Sequence, residues 1–560
     1  MPAKPKVRRL RRIAAAAIAL LTCAAASGQA GDDFARPLAA ILEAGRHPLL
    51  RRADFSKDQS AVKEFYRRRE DRAAWFEDGQ LTRQGVLLLQ TLRGVEDYGL
   101  RLEDYDGTTL TYRAHELIGN ERDMQRRAAL DSGMTLAAAR LLRHLHFGRA
   151  NPRRAGFESD RPRAPFDVAS ALARLTEAED LTQAIAAVEP AYSHYQIAKR
   201  ALQRYRHLAI DRELTHLPSL KTRSIQPGDA YEGMPALRRL LVALGDLPAD
   251  AVADTTTLDE ATVQAIKRFQ TRHGVTSDGA LGRKTFGALT TPLAARAEQL
   301  ALTLERWRWL PELNAPPIIV NIPQFRLFAF RANGDRAADI LQMDVIVGRD
   351  YPTTRTPAFT ADLQYVVFRP YWDAPPSIVE EEILPRLRAD LDYLKQENLE
   401  LLASDDDKAT PIAPTPQSIE QLAAGKLRLR QRPGPDNALG LIKFMLPNAY
   451  SVYLHSTSAQ RLFAQSQRAF SHGCIRVADP AALAEHVLRN VDPSWTRAAV
   501  DAALQDESPA GENRHVFLKT PIPVLIVYGT AIVLESGETQ FFDDIYGHDR
   551  KLRRLLRRID

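Results

Sequence analysis

The chain has 560 residues, 45% of them hydrophobic, which is too much for one ordinary domain and enough for three or four with real cores. Its formal charge of +6 is matched by six basic residues near the start, Lys4, Lys6, Arg8, Arg9, Arg11 and Arg12, so the rest is close to neutral. That balance excludes a nucleic-acid binder working by bulk charge. Residues 1–12 carry no acid; Ile13 to Ala26 is an apolar, Ala-rich run, and small residues lead to Ala30 before Gly31-Asp32-Asp33. This three-part pattern reads as a secretory signal over residues 1–30 and an exported, periplasmic protein. A spanning helix needs about 20 apolar residues, so the run is short for an anchor, while an uncleaved N-terminus remains open as a membrane tether. A lipoprotein reading at Cys23 is weakened by Thr22 before it. Of the two cysteines, Cys23 and Cys474, only the second survives removal of the signal, and it then has no internal disulfide partner. The bland reading of Cys474 is a buried inert thiol.

Residues 31–225 read as a helical scaffold domain. The stretch Thr135 to His146 is densely apolar at helical spacing, and Gly85 to Leu92 and Leu181 to Val188 look similar. Residues 228–292 read as a compact three-helix unit. Met234, Leu237, Leu240, Leu241 and Leu244 share one face, with Gly245 closing the helix; Val263, Ile266 and Phe269 mark a second helix, and Thr285, Phe286 and Leu289 a third. Ala265-Ile-Lys-Arg-Phe-Gln270, Gly274-Val275, Asp278-Gly279, Gly282 and Thr285 together resemble the peptidoglycan-binding domain 1 family. The resemblance implies a module that holds wall glycopeptide; a spacer that has lost binding is the alternative.

Residues 293–314 read as a linking helix. From 315 the period changes to alternation: Ile318 to Ile322, Phe325 to Phe330, Leu341 to Gly348, Tyr450 to Leu454 and Val524 to Tyr528 predict strands of a compact β-rich sandwich or barrel-like domain over 315–535. An insert at 371–432 interrupts it. Leu384, Leu387, Leu391 and Leu394 share helical spacing behind Glu380, Glu381 and Glu382, Pro385 should kink or restart the helix, and 403–416 is an acidic, Pro-rich loop. This predicts a mostly helical lid. Residues 536–560 read as a C-terminal tail. The fold class is thus α+β and multidomain.

Chemistry concentrates in His455-Ser456 and Ser471-His472-Gly473-Cys474-Ile475-Arg476-Val477. A thiol attacks only as its thiolate, which a nearby imidazole generates by accepting the proton. Gly473 permits a tight turn, and consecutive N–H groups of such a turn can form an oxyanion hole. Spacing alone does not choose between His455 and His472 as base. No metal-ligand spacing occurs anywhere.

His455, a gap of fifteen residues and then Ser471-His472-Gly473-Cys474 resembles the signature of L,D-transpeptidases with the YkuD-type catalytic domain. Tyr371-Trp372, Pro375-Pro376-Ser377-Ile378, Asn437-Ala438-Leu439-Gly440, Lys443-Phe444, Pro447-Asn448 and Arg468-Ala469-Phe470 look like the large periplasmic branch of that family. The resemblance implies Cys474 as nucleophile and His455 as base, the latter oriented by a carbonyl near Ser456. It implies an oxyanion hole from the N–H groups of His472, Gly473 and Cys474. Arg476 would hold a substrate carboxylate or brace the loop, and Arg468, Tyr453 and Ser456 would line the cleft. The implied reaction acylates Cys474 with a tetrapeptide stem, releases D-Ala and forms a 3→3 peptidoglycan cross-link, with no cofactor and with carbapenem-type inhibitors as acylating agents. Hydrolysis to an L,D-carboxypeptidase product and attachment of a lipoprotein are the alternatives on the same motif. The implied partners are peptidoglycan stem peptides and glycan.

Overall fold

The computed structural model describes residues 33–558 apart from 119–122, 160, 162–164, 252–254, 332–339, 352, 405, 407–408, 490 and 510. The expected signal, with Cys23, lies outside them. No helix among the described residues is long and apolar enough to cross a membrane.

The N-terminal region is helical, built around α1 (Met124–Phe147). Its N-cap Asp123 accepts the N–H of Arg126, and it ends at Gly148 with φ +79°. From Ala128 to Leu145 every residue of α1 except Arg143 is buried, because helices Gln59–Arg68, Arg83–Arg93 and Val168–Glu177 pack around it. Buried Asp131 on α1 is satisfied by the Tyr66 hydroxyl and the N–H groups of Ala74 and Trp75.

The three helices expected next are α2 (Met234–Leu244), α3 (Glu260–Arg272) and α4 (Arg283–Leu289). Met234, Leu237, Leu240 and Leu241 are fully buried against Ile266, Phe269 and Leu289, and Gly245 closes α2 in the left-handed region. The module is not an isolated bead. Its core continues into Leu300 and Leu304 of α5 (Leu293–Trp307) and into Ala531, Val533 and Phe541.

Those last residues correct the expectation of a tail. Ala531–Val533 and Thr539–Phe541 form a hairpin, and α7 (His548–Arg558) packs Leu552 into the core of the catalytic domain. The basic composition of 550–558 concealed an amphipathic helix with few but well-spaced leucines.

The catalytic region is a closed sheet. In chain order its strands are β1 (Phe157–Glu158), β2 (Ile318–Asn321), β3 (Arg326–Ala329), β4 (Leu341–Gly348), β5 (Ala358–Phe368), then, after the lid strands β6 (Trp372–Asp373), β7 (Leu399–Leu402) and β8 (Arg428–Gln431), β9 (Ile442–Met445), β10 (Leu454–His455), β11 (Ala469–Ser471), β12 (Ile475–Val477) and β13 (Arg514–Val527). The ladder runs β9-β10-β12-β4-β3-β2-β13-β5, and β9 pairs again with β5, so the ring shuts without an edge there. Strand β1 from the scaffold adds to β5, and β11 pairs beside β4. The expected strand at 450–454 is shorter than predicted. Asn448 accepts the N–H groups of Tyr450 and Val452 and donates to the Val452 carbonyl, holding 450–453 in a turn with Ser451 at φ +54°.

The lid is α/β rather than mostly helical. β6, β8 and β7 form a three-stranded sheet with its own core of Val379, Ile383, Leu384, Leu387, Leu394, Leu401, Ile419, Leu422 and Leu429. Pro385 restarts the helix: a π-turn at Val379–Ile383 precedes α6 (Leu384–Ala389), in whose first turn Pro385 loses no hydrogen bond.

Candidate active site

Strand pairing assembles the site. β10 lies between β9 and β12, with His455 opposite Lys443 on one side and Arg476 on the other. The Ile475 N–H donates to the Tyr453 carbonyl at 3.0 Å, which sets Cys474 beside Tyr453. Side chains directly opposite share a face, so Lys443, Tyr453, His455, Cys474 and Arg476 all emerge on one side of the sheet. Cys474 immediately precedes β12, one residue before the Leu454–Ile475 pair, and so lies diagonally from His455 on the neighbouring strand. The thiol is turned toward the Ser451 carbonyl at 3.7 Å, and no hydrogen bond links it to the ring.

His455 is 4% exposed. Burial, then the Arg476 charge, push its pKa down from 6.5 to about 3, against the opposing pull of the Ser456 and Leu439 carbonyls. The half-buried Cys474 thiol is pushed up by burial, while the N–H and hydroxyl of Tyr453 and the charges of Lys443 and Arg476 work the other way. The resting pair is therefore a neutral thiol and a neutral imidazole. Tyr453 is raised by burial and by its neighbour Cys474, so its hydroxyl keeps its proton as a donor.

The turn before Cys474 is built by three partners. Gly473 has φ +124°, a conformation open to glycine and strained for other residues. Ser471 Oγ accepts the Gly473 N–H at 3.2 Å and donates to the Cys474 carbonyl at 2.6 Å. Thr356 Oγ1 donates to the Gly473 carbonyl at 2.7 Å and accepts the Gly348 N–H at 2.8 Å. Behind it, the Tyr546 hydroxyl donates to the Gly348 carbonyl at 2.5 Å. Of the three N–H groups expected as oxyanion donors, one is already bonded within the turn. The Gly473 N–H is spent on Ser471, whereas those of His472 and Cys474 have no hydrogen-bond partner among the described residues.

Other expectations sort as follows. His472 does not face the thiol; its Nε2 is 2.7 Å from Glu382 Oε1 of the lid. Arg468 is corrected from cleft ligand to brace. Its guanidinium donates to Asp344 and to the carbonyls of Phe325, Val345 and Gln465, which occupies four of its five N–H groups. Arg476 is the reverse case. Burial lowers its pKa, its Nε has no partner, and no carboxylate pairs with it among the described residues. Ser456 is buried, and its part is main-chain: its N–H donates to the Ile442 carbonyl and its own carbonyl lies beside the imidazole.

Sequence reasoning missed Lys443, Thr356, Tyr546 and Glu382. Lys443 had a signal in its flanks, since buried Ile442 and Phe444 turn it to the other face, where its Nζ lies 4.2 Å from the centre of the Tyr453 ring. Thr356 and Tyr546 are 118 residues before and 72 after Cys474 in the chain, beyond any local pattern.

Comparison with known proteins agrees with this geometry. Residues 316–524 match the family described as the L,D-transpeptidase catalytic domain, residues 231–289 the “Putative peptidoglycan binding domain”, and residues 60–202 the “Scaffold domain”. A Haemophilus influenzae protein named “Putative L,D-transpeptidase” is 33% identical over 255 residues, which is 46% of this chain and 49% of that protein. The chain thus spans about half the length of the curated relative it matches. Residues 316–524 are an L,D-transpeptidase catalytic domain of the YkuD type, carried on one chain with a peptidoglycan-binding domain and a helical scaffold domain.

Proposed function

We propose that the protein forms 3→3 cross-links in peptidoglycan through a thioester on Cys474. The observation that carries this reading is the shared face of Cys474, His455 and the unpaired Arg476, beside two main-chain N–H groups without partners. Arg476 receives a carboxylate of the donor stem and fixes the scissile carbonyl over the sulfur. The Cys474 proton passes to His455 as the sulfur attacks the carbonyl of the third stem residue. The oxyanion rests on the N–H groups of His472 and Cys474. The C–N bond breaks, D-Ala leaves with the proton from His455, and a thioester remains. The side-chain amine of a second stem then attacks, His455 takes its proton, and the thiol is restored. A neutral resting pair suits this order, because the proton passes to His455 only as the sulfur attacks and no ion pair need form beforehand. The lid reaches the same turn through Glu382 and stands where it can exclude water from the thioester. The substrate lies outside the cytoplasm, and the reading includes export to the periplasm by residues 1–30.

Incubation with disaccharide tetrapeptide, read by product mass, tests the proposal. A dimer lighter by one D-Ala, lost in Cys474→Ala and in His455→Gln, is the expected result. A tripeptide product alone would assign hydrolysis instead, and turnover by Cys474→Ala would refute the nucleophile.

A further inference from the structure

Helix α7 carries a surface that the proposed reaction does not use. Arg550, Lys551, Arg554, Arg557 and Arg558 are all exposed, and no acid pairs with any of them among the described residues. At about 100° per residue these five fall within an arc of roughly 120°, opposite the leucines. Leu552 is fully buried, and Leu555 and Leu556 pack against the same core, so the apolar side of the helix is already occupied. The one acid of the helix is also occupied: Asp549 is buried against Arg306 and Thr530. The basic stripe continues onto the neighbouring turn. Helix Pro152–Ala155 packs on α7, Arg153 and Arg154 on it are exposed without acid partners, and a Cβ built on Gly156 would lie 3.8 Å from Lys551 Nζ. At the other end, Arg101 and Arg149 donate to the Leu556 carbonyl at 3.3 and 3.1 Å, covering the negative end of the helix with further positive charge.

We infer that this face docks on the anionic phospholipid headgroups of a bilayer, with the helix lying parallel to the surface and not inserted. Seven cations on a rigid support about 16 Å long match a planar array of phosphates. Insertion is ruled out by the buried leucines, so attraction is electrostatic. Wall peptide is the poorer match, since its stem carboxylates alternate with the free amine of a diamino acid. A separate groove of ≈ 860 Å³, lined by Arg223, Gln226, Thr276, Asp278, Arg283 and Lys284, lies on and beside the peptidoglycan-binding module and is open to wall glycopeptide. The first 26 residues, basic and then apolar, bring this chain to a membrane during its life. Docking by α7 would hold the catalytic domain at the membrane face of the wall.

The test compares full-length protein with its Arg550→Gln/Lys551→Gln/Arg554→Gln variant and a Arg550→Lys/Arg554→Lys variant. Each is co-sedimented with vesicles of phosphatidylcholine alone, with vesicles containing roughly 30% phosphatidylglycerol, and with purified sacculi, at about 0.1 M salt. Residues 1–30 are present in all three proteins, so differences among them report α7. Each cation near such a surface contributes a factor of about five, so the triple Gln variant should partition about 100-fold less onto anionic vesicles. The Lys variant should bind as wild type does, cross-linking activity should be unchanged in all, and rising salt should release the wild type. Equal binding of wild type and the Gln variant to anionic vesicles would overturn the inference. So would charge-dependent binding to sacculi with none to vesicles.

Discussion

Thr356→Val isolates what aims the oxyanion donor. Thr356 is fully buried, and its hydroxyl makes two bonds, to the Gly473 carbonyl and from the Gly348 N–H. The Gly473 carbonyl and the Cys474 N–H belong to one peptide plane. In a trans peptide these groups point in opposite directions, so fastening the carbonyl inward to Thr356 aims the N–H outward into the cleft. Valine keeps the shape and removes the hydroxyl. Two buried main-chain groups then lose their partner, at about 1–3 kcal/mol each. A loss of roughly 2–5 kcal/mol in a domain of this size should lower Tm by about 5–15 °C. A plane free to rotate should also lower kcat/KM by roughly 10- to 100-fold, given that one well-placed donor is worth about 3 kcal/mol. Thr356→Ser retains the hydroxyl and should recover most of both quantities. Thermal unfolding and steady-state turnover on tetrapeptide provide the two readouts. Wild-type turnover in a destabilised Thr356→Val protein would refute the reasoning, since the plane would then be held by something else.

The remaining predictions concern charge. Because burial pushes the Cys474 thiol up, alkylation by iodoacetamide should be slow at neutral pH and rise only at alkaline pH; a rise centred near pH 6 would mean a preformed thiolate–imidazolium pair. Arg476→Met should lower kcat/KM about 30-fold by removing one charge-assisted bond of about 2 kcal/mol. The same variant should leave turnover of a stem analogue with carboxamides in place of carboxylates unaffected; equal losses on both would assign Arg476 to bracing. His455 has a folded pKa of about 3 against 6.5 in the unfolded chain, so the unfolded state binds its proton first and stability falls as pH drops from 6.5 toward 3. At pH 4.5 that amounts to about 3 kcal/mol, so His455→Gln should flatten the slope of Tm against pH between 6.5 and 4.5; an unaltered slope would show that other buried histidines set it.

The sequence carried the helices with clean period, α2 and α3, because one-sided burial leaves a direct trace in the spacing of Leu237, Leu240, Leu241, Ile266 and Phe269. The strands β2 to β4 were legible for the same reason. The lid sheet was not: Leu399-Glu-Leu-Leu402 is buried on both faces, and Arg428–Gln431 hides a central strand under a charged composition, because buried Arg430 is matched by Glu400 at 2.8 Å. Helix α7 was missed by the same mechanism in reverse, as three leucines among six basic residues suffice when only a narrow stripe is buried. At the site, Cys474 and Arg476 could be named from their spacing to the glycine and from the family signature. The spent Gly473 N–H and the braced Arg468 could not, since both depend on partners supplied by the turn itself or by β4.

The Cys474 turn is held from two sides by segments that local reasoning placed outside the chemistry. From the lid, Glu382 reaches His472, whose N–H is one of the two proposed oxyanion donors. From the C-terminal end, Tyr546 fixes Gly348 and, through it and Thr356, the peptide plane of the other donor. The two attachments differ in kind. The Glu382–His472 contact is partly exposed, with side chains 45% and 31% accessible, so water competes for it and it contributes little to stability. The Thr356 contact is dry and carries the full cost of any unpaired group. A turn fixed on the dry side and loosely latched on the wet side can release the lid without losing the aim of the Cys474 N–H. That division suits the reaction proposed above, in which two large stems would enter in succession while one thioester stays protected between them.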